Sequence, residues 1–454
     1  MLTTHLLAIF LISAIVSHSK ALRFPQELYN LSSNQIFIVD NLSRPPSSSA
    51  SPTPLLSPAV SSPLVPALFI IGDSTVDCGN NNYLGTFARA DRPPYGRDFD
   101  THLPTGRFCN GRIPVDYLAL HLGLPFVPSY LGQTGELEDM LHGVNYASAA
   151  AGIIFSSGSE LCLQSPSKDG IQKSGIRISA VPCFGQMDIA KGYKRSQEFA
   201  ALQIHQFGGQ HISLTHQIQQ FSDTYQQFVL SLGEDVAIDL ISSSVLYVSI
   251  GINDYIHYYL RNVSNVQNLY LPWGFNQFLA STMRQEIKNL YNTNVRRFIV
   301  MGLPPIGCAP YYLQRYKSNN GECVEEINDM IMEFNFFMRY MTDELLHELP
   351  DAGIIFCDVF QGSMDIIRNH KSYGFESTAN ACCGLGKYNG WMMCMSPQMA
   401  CRNASDHIWW DQFHPTDAVN AILADNVWSS RHTEMCYPMN LEKMVFSQSL
   451  NNLV

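Results

Sequence analysis

Between residues 66 and 428, short apolar runs alternate with long amphipathic ones, and this rhythm leaves the chain very few folds to choose from. The short runs occupy residues 68–71, 144–147, 245–250, 298–301 and 354–357. The long ones include 113–122, 214–232, 275–290, 324–349 and 416–428. A strand that is apolar on both sides needs cover on both faces, and strands separated by helices run parallel. The pattern predicts an α/β fold, a three-layer α/β/α sandwich with about five mostly parallel strands. In such sheets the chemistry lies at the carboxyl ends of the strands. The first run stops at Gly72, and Asp73 and Ser74 follow it there. Ser74 is the candidate nucleophile. The residues after it are expected to open a helix whose N–H groups would favour negative charge on whatever reacts with Ser74. The alternative is a plain turn in which Asp and Ser satisfy local backbone groups.

Composition narrows the function. Of 454 residues, 46% are hydrophobic and 15% charged, as in a well-cored globular protein. The net charge of −11, without a long acidic run, argues against a nucleic-acid partner, which would want clustered Lys and Arg. Residues 6–16 are apolar and residues 17–21 end in small side chains, so residues 1–21 read as a signal peptide cleaved after Ala21, although Met1 to His5 lack Lys and Arg. That run is too short to span a bilayer and no later one suffices, so a secreted product without stable membrane insertion is expected. Residues 22–65 form a Ser/Pro-rich leader that cannot bury enough apolar surface to fold. One folded domain is expected over residues 66–436 and a tail over 437–454.

Twelve cysteines suit an oxidising compartment. Cys308, Cys323, Cys382, Cys383, Cys394 and Cys401, set among Gly and Pro, form the expected disulfide group, with pairing open and a metal site the weaker alternative. Sequons at Asn30, Asn41, Asn262 and Asn403 permit glycosylation wherever they are exposed. Residues 162–208 break the rhythm with scattered Lys, Gly and Pro. Such an insertion reads as a surface insert or unspliced sequence, or as a lid over the site. Cys162 and Cys183 fall within it.

Three further stretches carry chemistry. The run from Gly143 ends in small residues up to Gly152, where a backbone N–H could approach a ligand, unless the small residues serve only close packing. The run at 245–250 ends before Gly251, which puts Asn253 at the same sheet edge as Ser74. Its amide could donate to an oxyanion or cap a helix. Asp411 and His414 are three residues apart beside Trp409 and Trp410, so on a tight turn the carboxylate can orient the imidazole while the other ring nitrogen takes a proton from the serine. Pro415 and Thr416 look like the start of a final helix. Serine early, with Asp and His together near the end, differs in order from the α/β-hydrolases, and no Gly-x-Ser-x-Gly elbow occurs. No His-Glu-x-x-His or comparable ligand spacing points to a metal hydrolase.

Taken together, Gly72-Asp73-Ser74, Asn80 to Asn82, Pro104 to Arg112, Asn145 to Ser148 with Gly152, Gly251 to Asp254, Leu303 to Cys308, Ala381 to Gly384 and Asp411 to His414 resemble the ordered blocks of the plant GDSL esterase/lipase family within the SGNH hydrolases. The resemblance covers nearly all of residues 66–428 apart from the insert. It implies a flavodoxin-like fold and a triad of Ser74, Asp411 and His414. It implies an oxyanion hole built from the Ser74 and Gly152 N–H groups and the Asn253 amide. Activity on acyl or acetyl esters, small or polymer-linked, without cofactor or metal, and secretion to the apoplast or cell wall follow from it. Three departures stand out: Thr75 replaces the Leu of the name-giving motif, Ala149-Ala-Ala151 stands where glycines are frequent, and the insert begins about ten residues past Gly152. The rival expectation is a catalytically silent secreted relative that binds wall polysaccharide or lipid, but such a protein has no chemical need for all four reactive side chains.

Overall fold

The computed structural model describes residues 62–154 and 210–451. The expected signal peptide, most of the leader, the 162–208 insert with Cys162 and Cys183, and the sequons at Asn30 and Asn41 lie outside these residues. Strands β1 (Leu68–Gly72), β2 (Val245–Ser249), β3 (Arg297–Met301) and β4 (Gly353–Cys357) pair in parallel and in sequence order. β1 is buried along its whole length, and β2, β3 and β4 are buried at all but one residue each. That burial is why they read as continuous apolar runs rather than alternating ones.

Amphipathic helices connect and cover the sheet. One group comprises α1 (Pro114–His121), α6 (Val359–Arg368) and α7 (Asp417–Ser429), with α8 (Leu441–Asn451) packed on α7. The other comprises α2 (Leu214–Leu232), α3 (Glu234–Ser243), α4 (Pro272–Tyr291) and α5 (Glu325–Glu348). α2 shows how sequence becomes packing. Ser213 caps it by accepting from the His216 N–H, and Gly233 ends it at φ 90°. Its buried stripe carries Phe221 and Phe228 onto Phe69 of β1, with ring centroids 5.4 and 6.4 Å apart. Truncating Phe69 to Ala would cost about 3–5 kcal/mol at such a site.

The architecture is the expected α/β sandwich with a mainly parallel five-stranded sheet, but one strand is not where the apolar pattern puts it. The fifth member is β7 (Cys436–Tyr437), antiparallel to β4 at the sheet edge. Residues 144–147 form only isolated bridges, Asn145 to Ile70 and to Ser129. They run beside β1 through Ile70 N–H to Val144 O (3.1 Å) and Tyr146 N–H to Ile70 O (2.8 Å). The boundary expected at 436/437 is also corrected. It would cut β7, and Leu441, Met444 and Val445 of α8 belong to the core. For the same reason α7 is not the last helix.

Among the described residues, four disulfides join Cys308–Cys323, Cys357–Cys436, Cys382–Cys401 and Cys383–Cys394. The second lay outside the expected group, because Cys357 sits in an apolar strand and reads as an ordinary core residue. It links directly opposed residues of β4 and β7. Cys78 and Cys109 are buried free thiols. A two-stranded sheet of β5 (Ser377–Ala381) and β6 (His407–Trp409) leads the chain into Asp411. Of the two described sequons, Asn403 is exposed and Asn262 half-buried.

Candidate active site

β1 delivers Ser74 to the carboxyl edge of the sheet. Gly72 is required there by space: a Cβ would lie 2.4 Å from Val76 Cγ2 and 2.6 Å from the Ser249 carbonyl. Gln217 of α2 holds both backbone groups of Gly72, accepting from its N–H at 2.8 Å and donating to its carbonyl at 2.9 Å. The helix expected after Ser74 does not form. The Asp73 carbonyl accepts from Val76 and Asp77 N–H, and then the Asp77 carboxylate captures the N–H groups of Gly79 and Asn80 at 2.7 Å each. The Asp77 side chain thereby takes donors a helix would need, and Gly79 turns the chain away at φ 135°.

His414 Nε2 lies 2.8 Å from Ser74 Oγ, and His414 Nδ1 lies 2.8 and 3.0 Å from the two oxygens of Asp411. With Nδ1–H donating to the carboxylate, Nε2 is left to accept the Ser74 hydroxyl proton. The turn that brings Asp411 and His414 to one side is local: Trp410 N–H donates to the His414 carbonyl at 2.8 Å. Phe413 and His414 N–H both donate to Asp411 Oδ1, at 3.0 and 2.9 Å. Burial alone would raise the Asp411 carboxyl. The positive charge available on His414, the ring's hydrogen bond and those two amides outweigh it and hold the group below its ordinary value, so it stays ionised. Ser74 is half-buried and within reach of a ligand.

A fourth residue joins the line. Tyr95 O–H donates to Asp411 Oδ2 at 2.8 Å. Burial first, then the Asp411 charge, pushes the phenol well above its usual range, so it remains a donor. Tyr95 lies in the loop Arg92-Pro-Pro-Tyr-Gly-Arg97, which has no periodicity to mark it. Phe108 packs on the imidazole with ring centroids 5.1 Å apart, and Trp410 is fully buried against Tyr95.

The small-residue segment is stitched to the nucleophile turn by the Asn run. Asn80 donates to the carbonyls of Asn145 and Ala147, both at 2.8 Å. Asn81 donates to Ala149 O and accepts from Ser148 Oγ, while Asn145 donates back to Val76 O. Ala149 N–H is committed to Asp77 and Asn81, and Ala151 N–H to the Ser148 carbonyl. Neither Ala150 nor Gly152 has an acceptor for its N–H among the described residues. Ala150 takes φ 72°, a conformation that suits glycine, which is the cost of the alanines in this block.

Asn253 is buried and makes no side-chain capping bond; its amide donates to the Ala151 carbonyl at 2.9 Å. Its neighbour Asp254 accepts from Ile153 and Ile154 N–H at 2.7 and 2.9 Å, clamping the same segment from below. Thr75 donates through its N–H and its hydroxyl to Asp73 Oδ1. Burial raises the Asp73 carboxyl to about 6 against these bonds.

The family model for GDSL-like lipases and acylhydrolases matches residues 68–427. GDSL esterase/lipase At1g71691 of Arabidopsis thaliana is 34% identical over 420 residues, covering 92% of this chain and 94% of the relative. GDSL esterase/lipase 7 of Arabidopsis thaliana is 35% identical over 387 residues, 84% of this chain and 92% of that one. With the match running through every block that surrounds Ser74, Asn253 and His414, the chain belongs to the GDSL-like lipase/acylhydrolase family.

Proposed function

We propose that this chain is a secreted serine hydrolase that cleaves acyl or acetyl esters, on small molecules or on polymers, through an acyl-enzyme on Ser74. Ser74 Oγ attacks the ester carbonyl carbon as its proton passes to His414 Nε2. The oxyanion accepts hydrogen bonds from the Ser74 and Gly152 N–H groups and from the second N–H of the Asn253 amide. As the tetrahedral intermediate collapses, His414 returns the proton to the leaving alcohol. Water, deprotonated by the same nitrogen, then releases the carboxylic acid and frees Ser74. Asp411 holds the ring in the tautomer this exchange needs. The sequence uses no metal or cofactor.

The observation that carries the proposal is the 2.8 Å Ser74 Oγ to His414 Nε2 contact, continued from His414 Nδ1 to Asp411 Oδ1 at 2.8 Å. The apolar run at residues 6–16 and the four disulfides support secretion; N-terminal sequencing of the exported protein should begin at Leu22. Rapid mixing with p-nitrophenyl acetate should give a burst of one p-nitrophenol per chain before steady turnover. Steady turnover without a burst, together with no acyl adduct in acid-quenched samples, would overturn the acyl-enzyme.

A further inference from the structure

Behind the triad lies a cavity of about 90 Å³, bounded by the carboxyl ends of β1, β2 and β3 and by α1, α6 and α7. One water requires only ~10–15 Å³ by this measure, so the space is several times larger than a packing defect of water size. Its wall includes Thr75, next to the nucleophile, and the His414 ring, and from there it extends toward Val359 and Ile366 of α6 and Leu423 and Val427 of α7. Among the described residues, no ionisable side chain but His414 and Tyr247 lines it, and that phenol is held protonated, first by burial and then by the charge of Asp73. Of its other polar side chains, the Thr75 and Ser249 hydroxyls lie 3.2 Å apart, the Asn420 amide donates to the Arg112 carbonyl and Trp409 Nε1–H to the Thr378 carbonyl, which leaves the Ser363 and Tyr247 hydroxyls as the lone polar points on an otherwise apolar wall.

Native interiors close such voids unless something fills them. A sugar occupant would leave most of its hydroxyls without partners against these mainly apolar walls. A hydrocarbon would lose nothing. We propose that this cavity is the acyl-chain subsite: with the acyl carbon on Ser74, the chain passes the imidazole and lies between α6 and α7, so that the preferred ester carries a hydrocarbon acyl chain of several carbons rather than acetate. This rests on the ester-hydrolase proposal above. The alcohol side of the ester then faces away from the cavity, and the leaving group departs without crossing it.

The test compares the wild type with Leu423→Trp, which fills the far end, and Leu423→Ala, which enlarges it. Each is assayed for kcat/KM on p-nitrophenyl acetate, butyrate and octanoate, and for the rate of Ser74 labelling by ethyl and octyl fluorophosphonates. Each methylene kept out of an apolar site costs about fourfold. Wild type should prefer octanoate to acetate; Leu423→Trp should lower the octanoate-to-acetate ratio by at least tenfold, and Leu423→Ala should hold or raise it. A ratio unmoved by both variants, with Ser74 still labelled, overturns the subsite and leaves the hydrolase intact. Loss of labelling by both probes in the wild type overturns the hydrolase itself. If Leu423→Trp fails to fold, the subsite is judged on the ratio in Leu423→Ala and on the wild-type preference of ethyl against octyl labelling; equal rates there overturn it.

Discussion

Replacing Tyr95 with Phe removes one oxygen atom and isolates what its hydrogen bond does. Asp411 Oδ1 accepts from two backbone amides and the imidazole, whereas Oδ2 has the Tyr95 hydroxyl at 2.8 Å and the longer His414 Nδ1 contact at 3.0 Å. A buried hydrogen bond to an ionised group is worth about 1.5–3 kcal/mol, and that is the expected loss in folding free energy at neutral pH. Because the Asp411 carboxyl is depressed in the fold, its contribution to stability exists above the ordinary carboxylate range and fades as pH falls through its folded value. The stability deficit of Tyr95→Phe should therefore shrink in acid. Without this donor the carboxylate, and the ring it orients, can turn out of line with Ser74, so kcat should fall about threefold to tenfold with KM little changed. The assay is steady-state kinetics on a p-nitrophenyl ester beside denaturant melts at two pH values. A lower stability with an unchanged kcat would mean that Tyr95 only packs, and the positioning argument would be refuted.

Other perturbations separate the remaining groups. Burial raises the Asp73 carboxyl from 3.8 to about 6, so the fold binds that proton more tightly than the unfolded chain, and the stability this contributes below about pH 4 is lost as pH rises through about 6. Asp73→Asn escapes the loss; relative to wild type it should gain on the order of 3 kcal/mol between pH 4 and pH 7.5 in denaturant midpoints, and an equal difference at both pH values would contradict this. Asn253→Ala should lower kcat on the order of 10²-fold with little change in KM, and an unchanged rate would leave the amide as a tie to the Ala151 carbonyl alone.

Much of this site could be read from the chain because its parts are local. The run at 68–71 marks a buried strand, Gly72 marks the turn, and a spacing of three brings Asp411 and His414 to one side of a turn that the residues themselves close. What escaped the sequence is non-local. Tyr95 reaches Asp411 across 316 positions, and Gln217 clamps Gly72 across 145. β7 is two residues long and carries no pattern; its place depends on pairing with β4 and on Cys357–Cys436. The failed helix after Ser74 is instructive in the other direction. The residues after Ser74 read as a helix start, but only a short 3-10 turn forms, at Asn80–Tyr83, because Asp77 and the Asn run use their side chains to hold the 145–149 segment.

The most direct test of the central claim is intact-mass and peptide mapping of the secreted protein after treatment with a fluorophosphonate at neutral pH. The account predicts a single adduct on the peptide containing Ser74, loss of ester hydrolysis in proportion to labelling, and neither adduct nor more than about a percent of activity in Ser74→Ala. An adduct on another serine, or a Ser74→Ala protein that still turns over esters at the wild-type rate, would contradict it.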